Sequence, residues 1–399
     1  MTGIRPLTGV RVIDLTNVIM GPFATHILAD MGADVIKIES PEGDSLRGYQ
    51  PARSANMSGV FLHLNRNKRS VVLDLKTTEG RAALDALIAG ADVFVHALRP
   101  KAVARLGYPP ERVRELNPDI IFCGAYGFST DGPYADKAAY DDIIQAGSGM
   151  AALAARIGAD AEPAFVPTVM CDKLGGQAIA YSIIAALFAR ERGAGGQDVE
   201  VPMFETSIEF VLLEHLGGFA FEPSLGRPGF SRVLSKFRKP FRTADGYCCI
   251  LPYSTRNWQK FFEFIGLPEM AKDARYAELS MRVQNIDDLY ALIEREAPKR
   301  SNAQWVEFCD DNSVPCMPVL SIEDLPDDPH VKAVGLFSTA EHPTEGAYKV
   351  IRSPVRFSGS QFSVYRHAPT LGQDTEDVLA EIDAGASERK SIQAKVKNP

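Results

Sequence analysis

Apolar and polar positions alternate along Gly9 to Leu15 (GVRVIDL), Gly21-Pro22 then opens a helical stretch through Met31, and Ala33 to Glu39 (ADVIKIE) returns to a strand pattern. This predicts a βαβ unit. The same alternation continues through a strand at Ser70 to Leu75, a helix at Thr78 to Ile88, a strand at Ala91 to Val95, a helix around Glu111 to Leu116 and a strand at Asp119 to Ala125. Strands separated by helices predict a largely parallel, doubly wound α/β sheet, whose ligand sites lie beyond the carboxyl ends of the strands. From Leu174 to Arg192 the apolar pattern predicts one long helix, closed by the loop Gly193 to Gly196.

The pattern changes after Glu222 to Pro228, a polar, Pro/Gly-rich stretch that reads as a linker. Phe241 to Pro252 predicts a hairpin turning at Asp245-Gly246, and the stretches after Asn257 and Asp287 read as helical, which gives a smaller α+β unit to about Asn312. After Val314-Pro315 come short strands near Lys349 to Phe357, a helix from Asp374 to Ile382, and a Lys/Ser-rich tail expected to fray. The expected domains are therefore 1–225, 226–313 and 314–399, the last being a linker and a return to the first.

Composition narrows the classes. The 399 residues carry 43 Lys+Arg against 51 Asp+Glu, a net charge of −8, with 45% hydrophobic residues. That is a globular balance, and it argues against bulk nucleic acid as a partner. The longest apolar stretch, Ala178 to Ala189, is shorter than the roughly 20 residues that cross a bilayer, so no membrane span is expected. The opening MTGIRPLTGVRVIDL lacks the basic and apolar regions of a signal peptide, so a cytoplasmic location is the expectation. Six cysteines without a Cys-x-x-Cys pair read as reduced thiols, and seven scattered histidines lack metal-ligand spacing, so no metal is expected.

Several motifs carry candidate chemistry. The first βα turn, Asn17 to Pro22, has one glycine where a dinucleotide fingerprint needs three, so Glu39 at the end of the next strand reads either as a ribose-binding acid or, by preference, as a solvated one. Walker A, His-Glu-x-x-His and Gly-x-Ser-x-Gly patterns are absent. The run Asn65-Arg66-Asn67-Lys68-Arg69 reads as a solvated loop, with a mount for a phosphorylated cofactor as the alternative. Asp172 stands just before the long helix. It reads either as an N-cap or, because Gly175-Gly176 suggest a close backbone approach and the helix dipole favours an ionised carboxylate, as a nucleophile.

Assembled in order, these segments resemble the family III CoA-transferases, a group that includes formyl-CoA transferase and 2-methylacyl-CoA racemase. The matching pieces are Pro6 through Asp14, Gly21-Pro22, Gly32 to Glu39, Asn65 to Leu75 with Lys76, Gly132-Pro133-Tyr134 with Tyr140-Asp141, and Asp172; Pro315 with Pro318, Asp328-Pro329 and Pro369 to Leu379 follow. The resemblance implies that Asp172 attacks an acyl-CoA thioester to give an aspartyl anhydride, that the CoA thiolate returns to form aspartyl-CoA, and that an acceptor carboxylic acid then takes over. It places Val18, Ile19, Leu73, Lys76, Leu98, Arg99, Arg105, Leu106 and Tyr140 at the CoA site, with backbone N–H groups near Val18, Ile19 or Gly175-Gly176 as oxyanion donors. CoA enters as acyl-CoA substrate, with no permanently bound cofactor.

The implied fold is a Rossmann-like large domain built from both chain ends plus a small α+β domain, in an interlocked-ring homodimer whose active site joins the large domain of one subunit to the small domain of the other. Ile19 and Ser40 replace a Gln and an Arg of several relatives, which argues against formate and oxalate as substrates. The basic cluster Arg232, Lys236, Arg238 and Lys239 suits a dicarboxylic acceptor such as succinate if it faces the cleft, and is otherwise a solvated loop. A 2-methylacyl-CoA racemase is the alternative activity, disfavoured because Tyr140 stands where that branch carries a His base, and an unactivated tyrosine is a poor base at neutral pH. A non-catalytic CoA-binding paralogue is the other.

Overall fold

A computed structural model describes residues 4–158, 160–382 and 384. The chain divides into two compact units, one of Met1–Ser148, Val166–Phe210 and Ala333–Pro399, the other of Gly149–Phe165 and Val211–Lys332.

In the first unit, six strands form a sheet: β1 (Arg11–Leu15), β2 (Asp34–Glu39), β3 (Lys68–Val72), β4 (Val93–His96), β5 (Ile121–Tyr126) and β6 (Gln197–Pro202). Their spatial order is β3-β2-β1-β4-β5-β6 and every pairing is parallel. This order reverses direction between β1 and β4, and the loops after those two strands frame the crevice where such sheets take ligands. β4 and β5 are buried along their whole length, which is why they read as apolar runs. Ile13, Ile36, Val71, Phe94 and Phe122 form one core cluster with Leu84 and Ile88. The fully buried side chains among them each contribute about 1.5–3 kcal/mol of transfer free energy.

The helices that matter for the site follow in chain order: α1 (Met20–Asp30), α2 (Gly59–Leu64), α3 (Thr78–Ala89), α4 (Pro100–Leu106), α5 (Pro110–Leu116), α6 (Asp141–Gly147), α7 (Met150–Ala154) and α8 (Met170–Ala189). α7 belongs to the second unit and the others to the first. α8 begins four residues before the expected Leu174, so Asp172 lies inside its first turn rather than ahead of it. Gly175 and Gly176 let α8 approach α1: a Cβ on Gly175 would stand 2.6 Å from Met20 Cε, and one on Gly176 2.7 Å from the Met20 carbonyl oxygen. The close approach inferred from this glycine pair is thus made by a helix.

The charge run 65–69 is not a solvated loop. All five residues are buried, with Lys68 1% exposed. Arg66 pairs with Asp30 at 2.7 Å, Lys68 Nζ lies 3.4 Å from Asp14 Oδ2, and Arg69 pairs at 2.6 Å with both Asp34 and Glu381. The run is a set of internal ion pairs that ties β3 to β1, β2 and a late helix over 375–382. Such pairs cost desolvation that mutual attraction offsets only when every partner is present.

The second unit holds an antiparallel sheet of Phe241–Arg242, Tyr247–Ile250 and Cys316–Pro318, with the first two strands turning at Asp245-Gly246. Its helices at Thr255–Phe264 and Asn302–Asp311 each start with a capping box, from Ser254 and Ser301, and Trp258, Phe261, Phe262 and Trp305 fill its core. A hairpin of Phe337–His342 and Gly346–Ile351 returns the chain to the first unit. Among the described residues, no helix is long and apolar enough to cross a membrane. The tail expected to fray lies, beyond residue 384, outside the described residues.

Candidate active site

Two cavities open at the carboxyl ends of the first unit's strands. One, of about 290 Å³, is lined by Leu15, Ile38, Leu73, Leu75, Leu98 and Leu106 together with the polar groups of Asn17, Glu39, Ser40, Asp74 and Lys76. Apolar walls with a lysine at the rim suit a planar heterocycle carrying phosphates. Glu39 is not a solvated acid there. It is buried, and Arg47 grips it through two hydrogen bonds of 2.8 and 2.7 Å while Ser70 Oγ donates to it at 2.6 Å. Burial works against its charge, but Arg47, Lys37 and Ser70 outweigh it and hold the carboxyl below its ordinary pKa. A carboxylate so occupied braces the cavity wall and has little capacity left for a ribose.

The second cavity, of about 480 Å³, is lined by Asn17, Val18, Ile19, Met20, Leu98, Arg99, Tyr126, Tyr140, Asp172 and Met203, among others. Of the residues expected at the CoA site, Leu73, Lys76, Leu98 and Leu106 meet in the first cavity, and Val18, Ile19, Leu98, Arg99 and Tyr140 meet Asp172 in the second. Leu98 belongs to both, so the β4–α4 loop separates and joins them. Arg105 is exposed on α4 and lines neither.

Asp172 occupies the third position of α8, where no side-chain cap is made; its own N–H donates to Asp141 Oδ1 at 3.0 Å. The N-cap reading is therefore reversed, because another acid caps Asp172. The expectation that the helix dipole keeps this carboxylate readily ionised also fails. Burial, then the negative charges of Asp141 and Asp142, raise its pKa from 3.8 to about 7. Burial and two like charges outweigh one helix N-terminus, whose effect is typically under 1 kcal/mol at an exposed site.

The loop facing Asp172 is strained. Val18 has φ 65°, a left-handed conformation that a β-branched residue adopts only when its surroundings impose it. Its N–H donates to Asp44 Oδ1 at 3.3 Å, and the N–H groups of Gly175 and Gly176 lie within the α8 ladder. Of the proposed oxyanion donors this leaves Ile19. His96, in sequence one of seven scattered histidines without ligand spacing, ends β4. It is buried, its pKa falls to about 4 through burial, and its Nδ1 accepts the Leu98 N–H at 3.2 Å, so a neutral ring fixes the loop shared by both cavities. In the second unit, Lys239 pairs with Glu294 at 2.7 Å and Arg232 Nε donates to the Tyr290 hydroxyl at 3.2 Å.

The strand order, with a buried acid in the cavity beside the loops after β1 and β4, defines a doubly wound α/β protein, and comparison with known proteins gives the family. The sequence profile of CoA-transferase family III matches residues 7–375. The chain belongs to that family of enzymes. The succinate–glutarate CoA-transferase of Agrobacterium fabrum (strain C58) is 33% identical over 95% of this chain and 96% of its own length. The succinyl-CoA:glutarate CoA-transferase of Mus musculus is 30% identical over 96% of this chain and 89% of its own. Among solved structures, a mutant of Rv3272 from Mycobacterium tuberculosis superposes with a TM-score of 0.82 at 29% identity, covering 95% of this chain and 99% of that one.

Proposed function

We propose that this enzyme moves CoA from an acyl-CoA thioester to a dicarboxylic acid through covalent intermediates on Asp172. The observation that carries the reading is a buried carboxylate in a cavity of about 480 Å³ that adjoins, through Leu98, a second cavity suited to an adenine and its phosphates. A carboxylate with a pKa near 7 is largely ionised in mildly alkaline solution and more basic than free aspartate, which makes it the better nucleophile.

Asp172 attacks the thioester carbonyl, and the C–S bond breaks to give an acyl-aspartyl anhydride and CoA thiolate. The thiolate then attacks the aspartyl carbonyl and releases the donor acid, leaving aspartyl-CoA. The acceptor carboxylate repeats the sequence in reverse: it displaces thiolate to form a new anhydride, and thiolate attacks the acceptor's acyl carbonyl and frees Asp172. No proton enters or leaves, so catalysis rests on orientation and on donors to the oxyanion.

Dicarboxylate acceptors of succinate or glutarate length are supported by the names of the Agrobacterium and mouse relatives, and Ile19 and Ser40, which depart from the formate and oxalate pattern, speak against the shorter acids. The interlocked homodimer, and the assignment of Lys76 and Arg105 to CoA phosphates, belong to the same proposal and rest on the family resemblance. A coupled screen of succinyl-CoA and other acyl-CoA donors against formate and the C2 to C6 dicarboxylates tests it. Turnover with succinate or glutarate is expected, and turnover confined to formate and oxalate would overturn the substrate assignment.

A further inference from the structure

We propose that Asp141, itself anchored by Gln145, is a positioning residue for Asp172: it holds the first turn of α8 by one carboxylate oxygen and is locked to the loop before α8 through the other. The proposal deepens the reading of Asp172 as the nucleophile and rests on it.

The geometry is a closed relay. Asp172 N–H donates to Asp141 Oδ1 at 3.0 Å, and Gln145 Nε2 donates to Asp141 Oδ2 at 2.6 Å. The Gln145 amide also binds the segment that leads into α8, donating to the Thr168 carbonyl at 3.3 Å and accepting the Val166 N–H at 2.8 Å. Asp141 is 5% exposed and Gln145 1%, so water does not compete for these bonds. A helix start normally finds its cap in the preceding residue, but here the N-cap is Val169, which makes no side-chain cap bond. The cap has been moved to α6, and the position of Asp172 therefore depends on α6.

A neutral Asn could accept the Asp172 N–H, but only a carboxylate also accepts from Gln145 Nε2, and it brings a charge with a further consequence. A second negative charge beside Asp172 disfavours its ionisation, in addition to burial. The groups around Asp172 are Asp141 and Asp142 on α6, Cys171 and Lys173 on its own helix, and Tyr140, Arg99 and Tyr126 on the cavity wall. Asp141 is the one among them that combines a bond to the Asp172 backbone with a charge that opposes the Asp172 carboxylate.

Two substitutions separate these roles. Asp141→Asn keeps an oxygen for the Asp172 N–H but removes the charge and turns an NH2 toward Gln145 Nε2, so that bond is lost, whereas Asp141→Ala removes every contact of the carboxylate. The first measurement needs no turnover. The full-length protein is treated with a water-soluble carbodiimide and glycine methyl ester between pH 5 and 9, and labelling of the Asp172 peptide is read by mass spectrometry relative to exposed glutamates. Asp141→Asn is expected to move the midpoint of Asp172 labelling down by about one pH unit or more.

The second measurement is kinetic. Asp141→Ala and Gln145→Ala are expected to lower kcat about 10- to 100-fold with KM for acyl-CoA within about threefold, and Asp141→Asn, which keeps the bond to Asp172 and loses the one from Gln145, to retain above pH 8 at least the kcat of Gln145→Ala. An unmoved labelling midpoint in Asp141→Asn, or wild-type kcat in Asp141→Ala, would overturn the proposal. If Asp172→Asn itself keeps full activity, it is the nucleophile reading that fails, and the labelling midpoint still decides whether Asp141 acts on Asp172.

Discussion

Lys37 Nζ lies 2.9 Å from Asp44 Oδ2 with both side chains fully enclosed, and the other oxygen of Asp44 receives the N–H of the strained Val18. One buried ion pair at the end of β2 thus fixes the loop that faces Asp172. Burial works against the Lys37 ammonium, but Asp14, Asp44 and Glu39 outweigh it and raise its pKa. Asp44→Ala leaves that ammonium short of a partner and releases Val18, and is expected to cost about 3–5 kcal/mol. Urea unfolding measures this, and a loss below about 1 kcal/mol would show that the pair does not carry the loop.

Asp172 is expected to lower stability in a pH-dependent way. Its pKa rises from 3.8 to about 7 on folding, so between those values the native state binds a proton that the unfolded chain has released. Stability therefore falls as pH rises through this window, and above about pH 7 the full cost of the buried charge is present. Asp172→Asn is expected to abolish transfer while leaving stability nearly unchanged at pH 4 and raising it by about 1–3 kcal/mol at pH 8. Thermal melts at both pH values check the sign, and an equal gain at both would contradict it.

Lys76 is exposed at the rim of the smaller cavity. Lys76→Ala is expected to raise KM for acyl-CoA about threefold to tenfold at low ionic strength, with kcat nearly unchanged and the difference shrinking toward 0.5 M salt, where the screening length is only about 4 Å. Initial rates at two salt concentrations measure it. An equal effect at both would remove the phosphate role.

The α1–α8 approach predicts unequal costs for two neighbouring substitutions. An Ala Cβ at Gly176 meets the Met20 backbone carbonyl, whereas one at Gly175 meets the tip of the flexible Met20 side chain. Gly176→Ala is expected to destabilise by about 1–3 kcal/mol, Gly175→Ala by less, since Ala gains about 1 kcal/mol in helix propensity at either position. Melting temperatures order the two variants.

The sheet was legible because buried parallel strands are apolar runs, and β1, β2, β4 and β5 lie within two residues of their expected bounds. What sequence spacing could not convey was the long-range pairing of charges. Arg69 meets Glu381, and the Arg47 that occupies Glu39 also donates to the Pro369 carbonyl at 3.1 Å, so residues that read as solvated are internal because partners hundreds of positions away enclose them. Asp172 was legible as a candidate, but its capping acid was not. Tyr140-Asp141 stood out only as a piece of motif, and the 31 residues from Asp141 to Asp172 carry no periodic signal that would pair them. His96 reads in the sequence as one of seven scattered surface or packing histidines, and it is packed; nothing in its spacing shows that its ring also accepts the Leu98 N–H and fixes the loop between the cavities.

The central claim is that CoA becomes covalently attached to Asp172, and trapping tests it most directly. The enzyme is incubated with succinyl-CoA and hydroxylamine, digested and read by tandem mass spectrometry. A hydroxamate on Asp172 is expected, absent without acyl-CoA and absent in Asp172→Asn. An unmodified Asp172 in enzyme that turns over the same donor would contradict it.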